Sequence, residues 1–595
     1  MSAAPTLQSF IAGRWLGQHG AQALRSALDG HVLAYSHEER PDFAEAVDYA
    51  RARGLASLMA MDFQQRAQRL KALALYLAER KEQLYALSHH SGATRADSWI
   101  DIEGGNATLF SYAGIGSREL PSGNLVHEGP AIALGKQGHF AGSHILVPRA
   151  GVAVHINAFN FPIWGMLEKF APTFLAGMPC IVKPATSTSY LTEAVVRLMN
   201  ASGLLPEGSL QLVIGSTGDL LDRLQGQDVV TFTGSADTAA KLRVTPNLIR
   251  NSVPFTAEAD SLNCAILGPD VSPDSEEFDL YIKEVVREMT TKAGQKCTAI
   301  RRAIVPARHI DAVATRLRER LSKVVVGDPA LEGVRMGALA SHDQQHDVAE
   351  RVRSLLQSCD QLFGASDGFA PRGEGVAEGA FFAPTLLQAR DPHAEGGAHD
   401  IEAFGPVSTL MAYDDLDEAL ALAARGKGSL VATLVTADRS VAAKAIPVAA
   451  AWHGRLLVLD SEAAKESTGH GSPLPQLKHG GPGRAGGGEE LGGLRAVKHY
   501  LQRAAVQGSP SMLTAVTGEY VRGGEVIETE VHPFRRYFQQ LRIGESLLTH
   551  RRTVTEADLV NFGCLSGDHF YMHFDEIAAK ESQFGKRIAH GYFVL

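Results

Sequence analysis

Between positions 41 and 90 the apolar residues recur every third or fourth position among Ala, Leu, Arg and Glu, the spacing of helices with one buried face. After Pro148 the pattern changes to short β-rich runs separated by helical ones. Positions 151–157 (GVAVHIN) predict a strand, 161–176 a helix, 180–183 (CIVK) a second strand and 190–202 a helix; 210–214 and 229–233 (VVTFT) predict two more strands. Strands alternating with helices predict a parallel sheet in an α/β domain. A second α/β segment runs over 262–448, and the glycine-crowded stretch 470–493 predicts loop. Beyond 518 the character shifts again, with a strand-like run at 525–531 and a motif-bearing segment after 553. No repeat of 20–50 residues stands out.

Length changes this picture by requiring more than one core, since 595 residues exceed what a single one serves. A net charge of −9 is mild at this size and argues against a general nucleic-acid or anionic-membrane binder. No apolar stretch is long enough to cross a bilayer, and no secretory leader is apparent. The cysteines, Cys180, Cys264, Cys297, Cys359 and Cys564, are scattered without CxxC pairing. Neither a disulfide frame nor a metal site is therefore expected, and a reducing cytoplasm fits best.

Most free cysteines are buried small hydrophobes. Cys297, in 292–298 (KAGQKCT), stands apart because of its company. A thiolate is the natural nucleophile for an aldehyde carbon, since a hydride can leave from the resulting thiohemiacetal. An ordinary thiol is only a few per cent ionised near neutrality and needs activation, for which neighbouring Lys296 is one candidate. Along the chain stand 157–162 (NAFNFP) at a strand-to-helix passage, 183–185 (KPA) after a strand, 232–235 (FTGS) between strand and helix, Glu258 within 256–263 (TAEADSLN), and 402–407 (EAFGPV). Taken singly, Asn160 reads as a turn residue before Pro162 and Glu258 as a solvated acid.

These motifs in this order resemble the aldehyde dehydrogenase superfamily over roughly residues 5 to 515. The resemblance implies an α/β aldehyde dehydrogenase fold: a Rossmann-like cofactor domain over 1–261 and 449–495, a catalytic α/β domain over 262–448, and an oligomerisation strand and linker over 496–520. It implies that Asn160 and the backbone N–H of Cys297 meet the developing oxyanion, and that Glu258 activates the water that hydrolyses the thioester. The 39 residues between Glu258 and Cys297 leave their meeting to the fold. The run 258–261 is Glu-Ala-Asp-Ser where the family has glutamate-leucine-glycine-glycine, which questions the local backbone shape. For the dinucleotide the resemblance implies Phe232, Gly234 and Ser235 at the phosphates, Lys183 at the adenosine ribose, and Glu402 and Phe404 at the nicotinamide ribose and ring. Thr186 stands where many NAD-specific members carry a glutamate, so NADP is expected over NAD. Association through a late strand near 511–516 implies a homo-oligomer, dimer-based and up to a hexamer.

The C-terminal segment carries its own chemistry. Positions 566–573 (SGDHFYMH) place Asp568 and His573 five apart, a pair able to activate water and return a proton. Positions 588–591 (IAHG) offer Gly591 at a helix start, where N–H groups can polarise a thioester carbonyl. The blander alternative makes Asp568 a helix cap and His573 a packed histidine. This segment, 521–595, resembles the MaoC-like hot-dog hydratases, with Phe570 and Tyr571 in place of the family's asparagine and proline. Because the run 591–595 (GYFVL) stops where the long helix of that fold begins, a partial hot-dog domain with impaired activity is expected.

A dehydrogenase followed by such a module resembles the bifunctional ring-opening enzymes of aerobic phenylacetate breakdown. That implies opening of oxepin-CoA and oxidation of the product, 3-oxo-5,6-dehydrosuberyl-CoA semialdehyde, with the CoA thioester as substrate rather than cofactor. The alternative is a monofunctional dehydrogenase for medium-chain or aromatic aldehydes with a non-catalytic tail.

Overall fold

The computed structural model describes residues 4–364, 369–488, 492–548 and 551–594. Part of the glycine-rich run, 489–491, and Leu595 lie outside the described residues. The helical N-terminal region resolves into several helices. Phe63–Ala78 begins with a reciprocal cap in which Asp62 accepts from Gln65 N and the Gln65 side chain accepts from Asp62 N.

Two seven-stranded sheets follow. The first has the order Phe255–Glu258, Val229–Thr233, Ala153–Ile156, Cys180–Lys183, Leu210–Leu212, Ser9–Ile11, Arg14–Leu16. Its first five strands are parallel, and the N-terminal hairpin closes one edge antiparallel. The second runs Cys359–Phe363, Thr385–Ala389, Val407–Tyr413, Arg302–Pro306, Cys264–Leu267, Ser429–Val435, His453–Leu459, parallel except at Cys359–Phe363. Cys264–Leu267 and Ser429–Val435 are buried at every position, as parallel strands with both faces covered must be. A three-stranded sheet is built from Leu501–Gly508, Ala141–Pro148 and Val126–Ala133.

The chain divides into two compact units. The first comprises Met1–Glu128 and His144–Ala504 and holds both large sheets; the second comprises Gly129–Ser143 and Ala505–Leu595. Three sequence expectations need correction. His453–Leu459 pairs with Ser429–Val435 in the second sheet, so that sheet extends beyond residue 448 into the 449–495 segment assigned to the cofactor domain. The stretch 511–516 is helical, within Pro510–Thr517: Ser509 caps it by accepting from Met512 N, and Pro510 pre-sets its first turn. The run 525–531 forms only the two-residue strand Ile527–Glu528, paired with Glu545–Ser546. The second unit also holds parts of the strands Val126–Ala133, Ala141–Pro148 and Leu501–Gly508, and its longest described helix after residue 517 is Glu556–Ser566. No described helix is long and apolar enough to cross a membrane.

Candidate active site

In the first sheet the chain runs from Ala153–Ile156 outward through Cys180–Lys183 to Leu210–Leu212, then returns to the other flank of Ala153–Ile156 with Val229–Thr233. That reversal opens a crevice at the strands' carboxyl ends, the usual seat of a dinucleotide. Asn157, Lys183, Thr186, Gly234 and Ser235 all follow or end these strands. Lys183 is largely buried, which lowers its pKa, and it has no ion pair among the described residues. Thr186 opens a short 3-10 turn. Phe232 is buried and stacked near Phe255, and a Cβ on Gly234 would meet its ring at 2.6 Å, so only glycine fits beside that phenyl. Ser235 caps Ala236–Arg243 by accepting from Thr238 N, while Ala236 N donates to Asp260 Oδ1 at 2.9 Å.

The departure at 259–261 thus puts a carboxylate on an amide of the helix start where a phosphate is expected. Asn157, which the sequence reading did not single out, has both atoms of its amide buried without a hydrogen-bond partner. Unpaired buried polar groups are costly and rare. An orphaned carboxamide next to a lysine with no ion pair among the described residues fits a polar, anionic dinucleotide, and the Asp260 carboxylate on Ala236 N opposes it.

The loop before Cys297 is tightly determined. Lys292 and Ala293 have φ of 53° and 51°. Lys292 is anchored by its backbone N–H to Asp97 Oδ1 (2.7 Å) and by its ammonium to Ser91 Oγ (2.9 Å). Gly294, at φ 68°, passes so close to Gly405 O that a Cβ would come within 2.2 Å. Lys296 bonds both oxygens of buried Glu288 at 2.9 and 2.8 Å, and its charge lowers the Cys297 pKa by less than burial and Glu258 raise it. Desolvation, followed by the charge of Glu258, pushes the Cys297 thiol well above the ordinary cysteine pKa. The resting group is a protonated thiol beside a carboxylate.

Glu258 ends the strand Phe255–Glu258, and its backbone carbonyl accepts from Gly234 N at 3.1 Å. Asn160, 6 % exposed, donates from Nδ2 to Gln295 O at 3.0 Å, at the loop carrying the cysteine. One pocket is lined by Asn160, Trp164, Glu168, Glu258, Cys297 and His479. Glu168 and His479 carry charge that the motifs did not reveal. His479 Nδ1 lies 2.7 Å from Glu168 Oε1, its Nε2 lies 3.6 Å from Glu258 Oε2, and its ring stacks on Trp164. Burial by itself would lower the histidine pKa, but Glu168 and Glu258 outweigh it and raise it to about 9. The signal for Glu168 was in the sequence: it and Lys169 are the only charged residues of the apolar helix Trp164–Ala176. His479, in a loop of glycines, had none.

Glu402 is held by Ser261 N at 3.0 Å and by Arg301 Nε at 3.3 Å. Burial, opposed by Arg301, raises its pKa to about 7. Phe404 packs edge-on to Phe159 and under the Arg301 guanidinium.

In the second unit, Asp568 Oδ2 and His573 Nε2 are 3.8 Å apart, and buried His573 bonds Ile588 O through Nδ1 at 2.8 Å. The half-exposed Asp568 also accepts from Phe570 N at 3.2 Å, a local turn bond two residues along the chain. His590 stacks on His573 at 3.9 Å. Gly591 starts a four-residue helix, Gly591–Val594.

Two largely parallel sheets, a strand-reversal crevice and a half-buried cysteine beside a buried glutamate and asparagine define an aldehyde dehydrogenase. The profile of the aldehyde dehydrogenase family matches residues 18–506, and the chain belongs to that family; the profile of the MaoC like domain matches residues 538–595. Among particular relatives, the chain is 43% identical over 478 residues to the 3,4-dehydroadipyl-CoA semialdehyde dehydrogenase of Aromatoleum evansii, covering 80% of this chain and 93% of that one. It is 57% identical over 261 residues to Protein MaoC of Klebsiella aerogenes, 44% of this chain and 76% of that protein. A putative aldehyde dehydrogenase from Burkholderia cenocepacia superposes with a TM-score of 0.72 at 25% identity, over 84% of this chain and 97% of the other. The betaine aldehyde dehydrogenase of Staphylococcus aureus, solved with NAD+, shares the fold at a TM-score of 0.73 and 20% identity, over 84% and 95%.

Proposed function

We propose that the chain oxidises a CoA-linked semialdehyde to its acid, with NADP as acceptor, through covalent attachment of the substrate to Cys297. The observation that carries this reading is the meeting of Cys297, Glu258 and Asn160 in one pocket although they come from three distant segments. The name of the Aromatoleum evansii relative supports the substrate class. Thr186 in place of a glutamate, and Lys183 without an ion pair, support NADP.

In this reading Glu258 takes the thiol proton as sulfur bonds to the aldehyde carbon, and the carbonyl oxygen becomes an oxyanion. Asn160 Nδ2 and the Cys297 backbone N–H donate to that oxygen, offsetting charge where it develops. NADP, when bound, supplies the hydride acceptor; loss of hydride from the carbon restores the carbonyl as a thioester. After releasing the first proton, Glu258 takes one from water, whose oxygen attacks the thioester carbon. The carbon–sulfur bond breaks, and the thiolate is reprotonated. Glu402 and Phe404 would hold the nicotinamide end. The first sheet serves the cofactor and the second positions the nucleophile loop.

The substrate of this reading is 3-oxo-5,6-dehydrosuberyl-CoA semialdehyde, formed by opening of oxepin-CoA at Asp568, His573 and Gly591 in the MaoC-like domain of a cytoplasmic homo-oligomer. Phe570 and Tyr571 in the motif, with Asp568 half-exposed and engaged in a local turn bond, favour the second reading, a dehydrogenase whose tail is not catalytic. The test is to supply the semialdehyde and NADP to wild type and to Cys297→Ala. NADPH formation in the first and none in the second is expected. Turnover by Cys297→Ala at more than a hundredth of the wild-type rate refutes the reading.

A further inference from the structure

The pocket holds an arrangement that the dehydrogenase chemistry does not require. A carboxylate oxygen of Glu258, the sulfur of Cys297 and a ring nitrogen of His479 all lie within 4.8 Å of one another. They arrive from a strand end, a strained loop and a glycine-rich loop, so the cluster is made by the fold and not by sequence spacing. Glu258 Oε1 and His479 Nε2 are both buried without a hydrogen-bond partner. The other ring nitrogen, Nδ1, is fixed on Glu168 at 2.7 Å. A histidine that ligates a metal commonly has its second nitrogen bound to a carboxylate, which orients the ring and raises its basicity.

We propose that Glu258, Cys297 and His479 form a binding site for one zinc-like divalent cation, and that occupancy reversibly switches the dehydrogenase off by coordinating the nucleophilic sulfur. A mixed sulfur, nitrogen and oxygen set suits zinc, whereas magnesium and calcium prefer all-oxygen ligands. Three protein ligands leave a fourth position for water. Bond lengths of about 2.0–2.3 Å require the three donor atoms to close to about 3.5 Å apart, so the side chains draw in by roughly 1 Å. On binding, the thiol and any protonated imidazole each release a proton to solvent, because only the deprotonated forms coordinate; no group changes oxidation state. Lys169, the cation beside Glu168 on the same helix, donates to Thr233 Oγ1 at 2.8 Å. Metal binding stands on this geometry alone, whereas the loss of activity rests on the proposed role of Cys297.

The test titrates chelator-treated full-length protein with Co2+ and follows the near-ultraviolet band that a thiolate–cobalt bond produces. One equivalent should saturate the band, and Zn2+ should displace it. Cys297→Ser and His479→Gln should abolish it, and Glu168→Gln, which keeps all three ligands, should weaken binding by about 10- to 100-fold. Asp568, His573 and His590 form a second cluster of possible ligands near Cys564 in sequence, so His590→Gln and Cys564→Ser serve as controls and should leave the band intact. A wild-type protein without a saturable band overturns the proposal, as does a band that survives both Cys297→Ser and His479→Gln. If either variant fails to fold, an unchanged affinity in Glu168→Gln overturns it instead. One equivalent of Zn2+ should also stop NADPH formation until a chelator is added. Undiminished turnover with the site filled refutes the assignment of Cys297 as nucleophile and leaves the metal site standing.

Discussion

Replacing Asn160 with alanine separates a catalytic asparagine from a structural one. In the resting protein its Nδ2 donates to Gln295 O at 3.0 Å, and the residue is 6 % exposed. A neutral bond of this kind contributes about 1 kcal/mol net, but leaving the buried carbonyl without its donor costs about 1–3 kcal/mol. Asn160→Ala is therefore expected to unfold at lower temperature or denaturant whatever its catalytic role. The catalytic loss is larger, because a donor aimed at a developing oxyanion is worth about 2.7–4 kcal/mol, or a factor of about 100 to 1000 in rate. The assay is single-turnover NADPH formation at saturating aldehyde and NADP, alongside the NADP dissociation constant and the unfolding midpoint. The expected result is a rate lowered by two to three orders of magnitude, with cofactor affinity within about twofold of wild type. A rate within about threefold of wild type, with the midpoint clearly lowered, would reduce Asn160 to a support for the loop and refute its place in the oxyanion site.

Glu258→Gln should lose the base for both proton transfers, so the first NADPH forms more slowly than in wild type and the thioester hydrolyses more slowly still, with steady turnover down about 100-fold or more and a thioester on Cys297 that intact mass spectrometry detects; steady turnover at the wild-type rate would exclude Glu258 as the base. Lys183→Ala should weaken NADP by about tenfold or more while changing NAD much less, measured by equilibrium binding, and an equal loss for both would remove the case for a 2′-phosphate contact. Asp568→Asn should leave aldehyde oxidation within twofold of wild type by NADPH absorbance. His479 titrates near pH 9 in the folded protein against an ordinary 6.5, so the stabilisation from its charged form is complete below pH 6.5 and lost as pH rises through about 9. The wild-type urea midpoint should fall over that window and that of His479→Phe should not; parallel curves would remove the charge from His479.

The legible part of this molecule was the part written in local pattern. The strands 180–183 and 229–233 are visible in CIVK and VVTFT because parallel strands covered on both faces read as near-continuous apolar, β-branched runs. The edge strand His453–Leu459 escaped assignment because its sheet depends on the partner Ser429–Val435 and not on its own residues. The family resemblance implied a strand near 511–516, yet Ser509 and Pro510 start a helix there and local capping wins. Within the site, the motifs pointed to Cys297, Glu258 and Asn160, but the direction in which a side chain turns was not readable. Lys296 adjoins the cysteine and serves Glu288 instead, while His479, 182 residues away from Cys297, faces the pocket. Asp260 shows the same limit: the motif signalled a departure, and only the fold shows its carboxylate on Ala236 N.

The two oxygens of Glu258 face different neighbours, and that division bears on how one carboxylate can serve two steps of the proposed reaction. Oε2 lies 3.6 Å from His479 Nε2, and Oε1 is buried without a partner. The His479 ring is fixed on Glu168 through Nδ1, so it holds its place against the oxygen it faces. Oε1 is then the oxygen available to accept a proton, first from the thiol and later from water. Glu168 and His479 therefore act through Glu258. Removing either should slow thioester hydrolysis, which needs the carboxylate oriented toward water, more than it slows formation of the first NADPH.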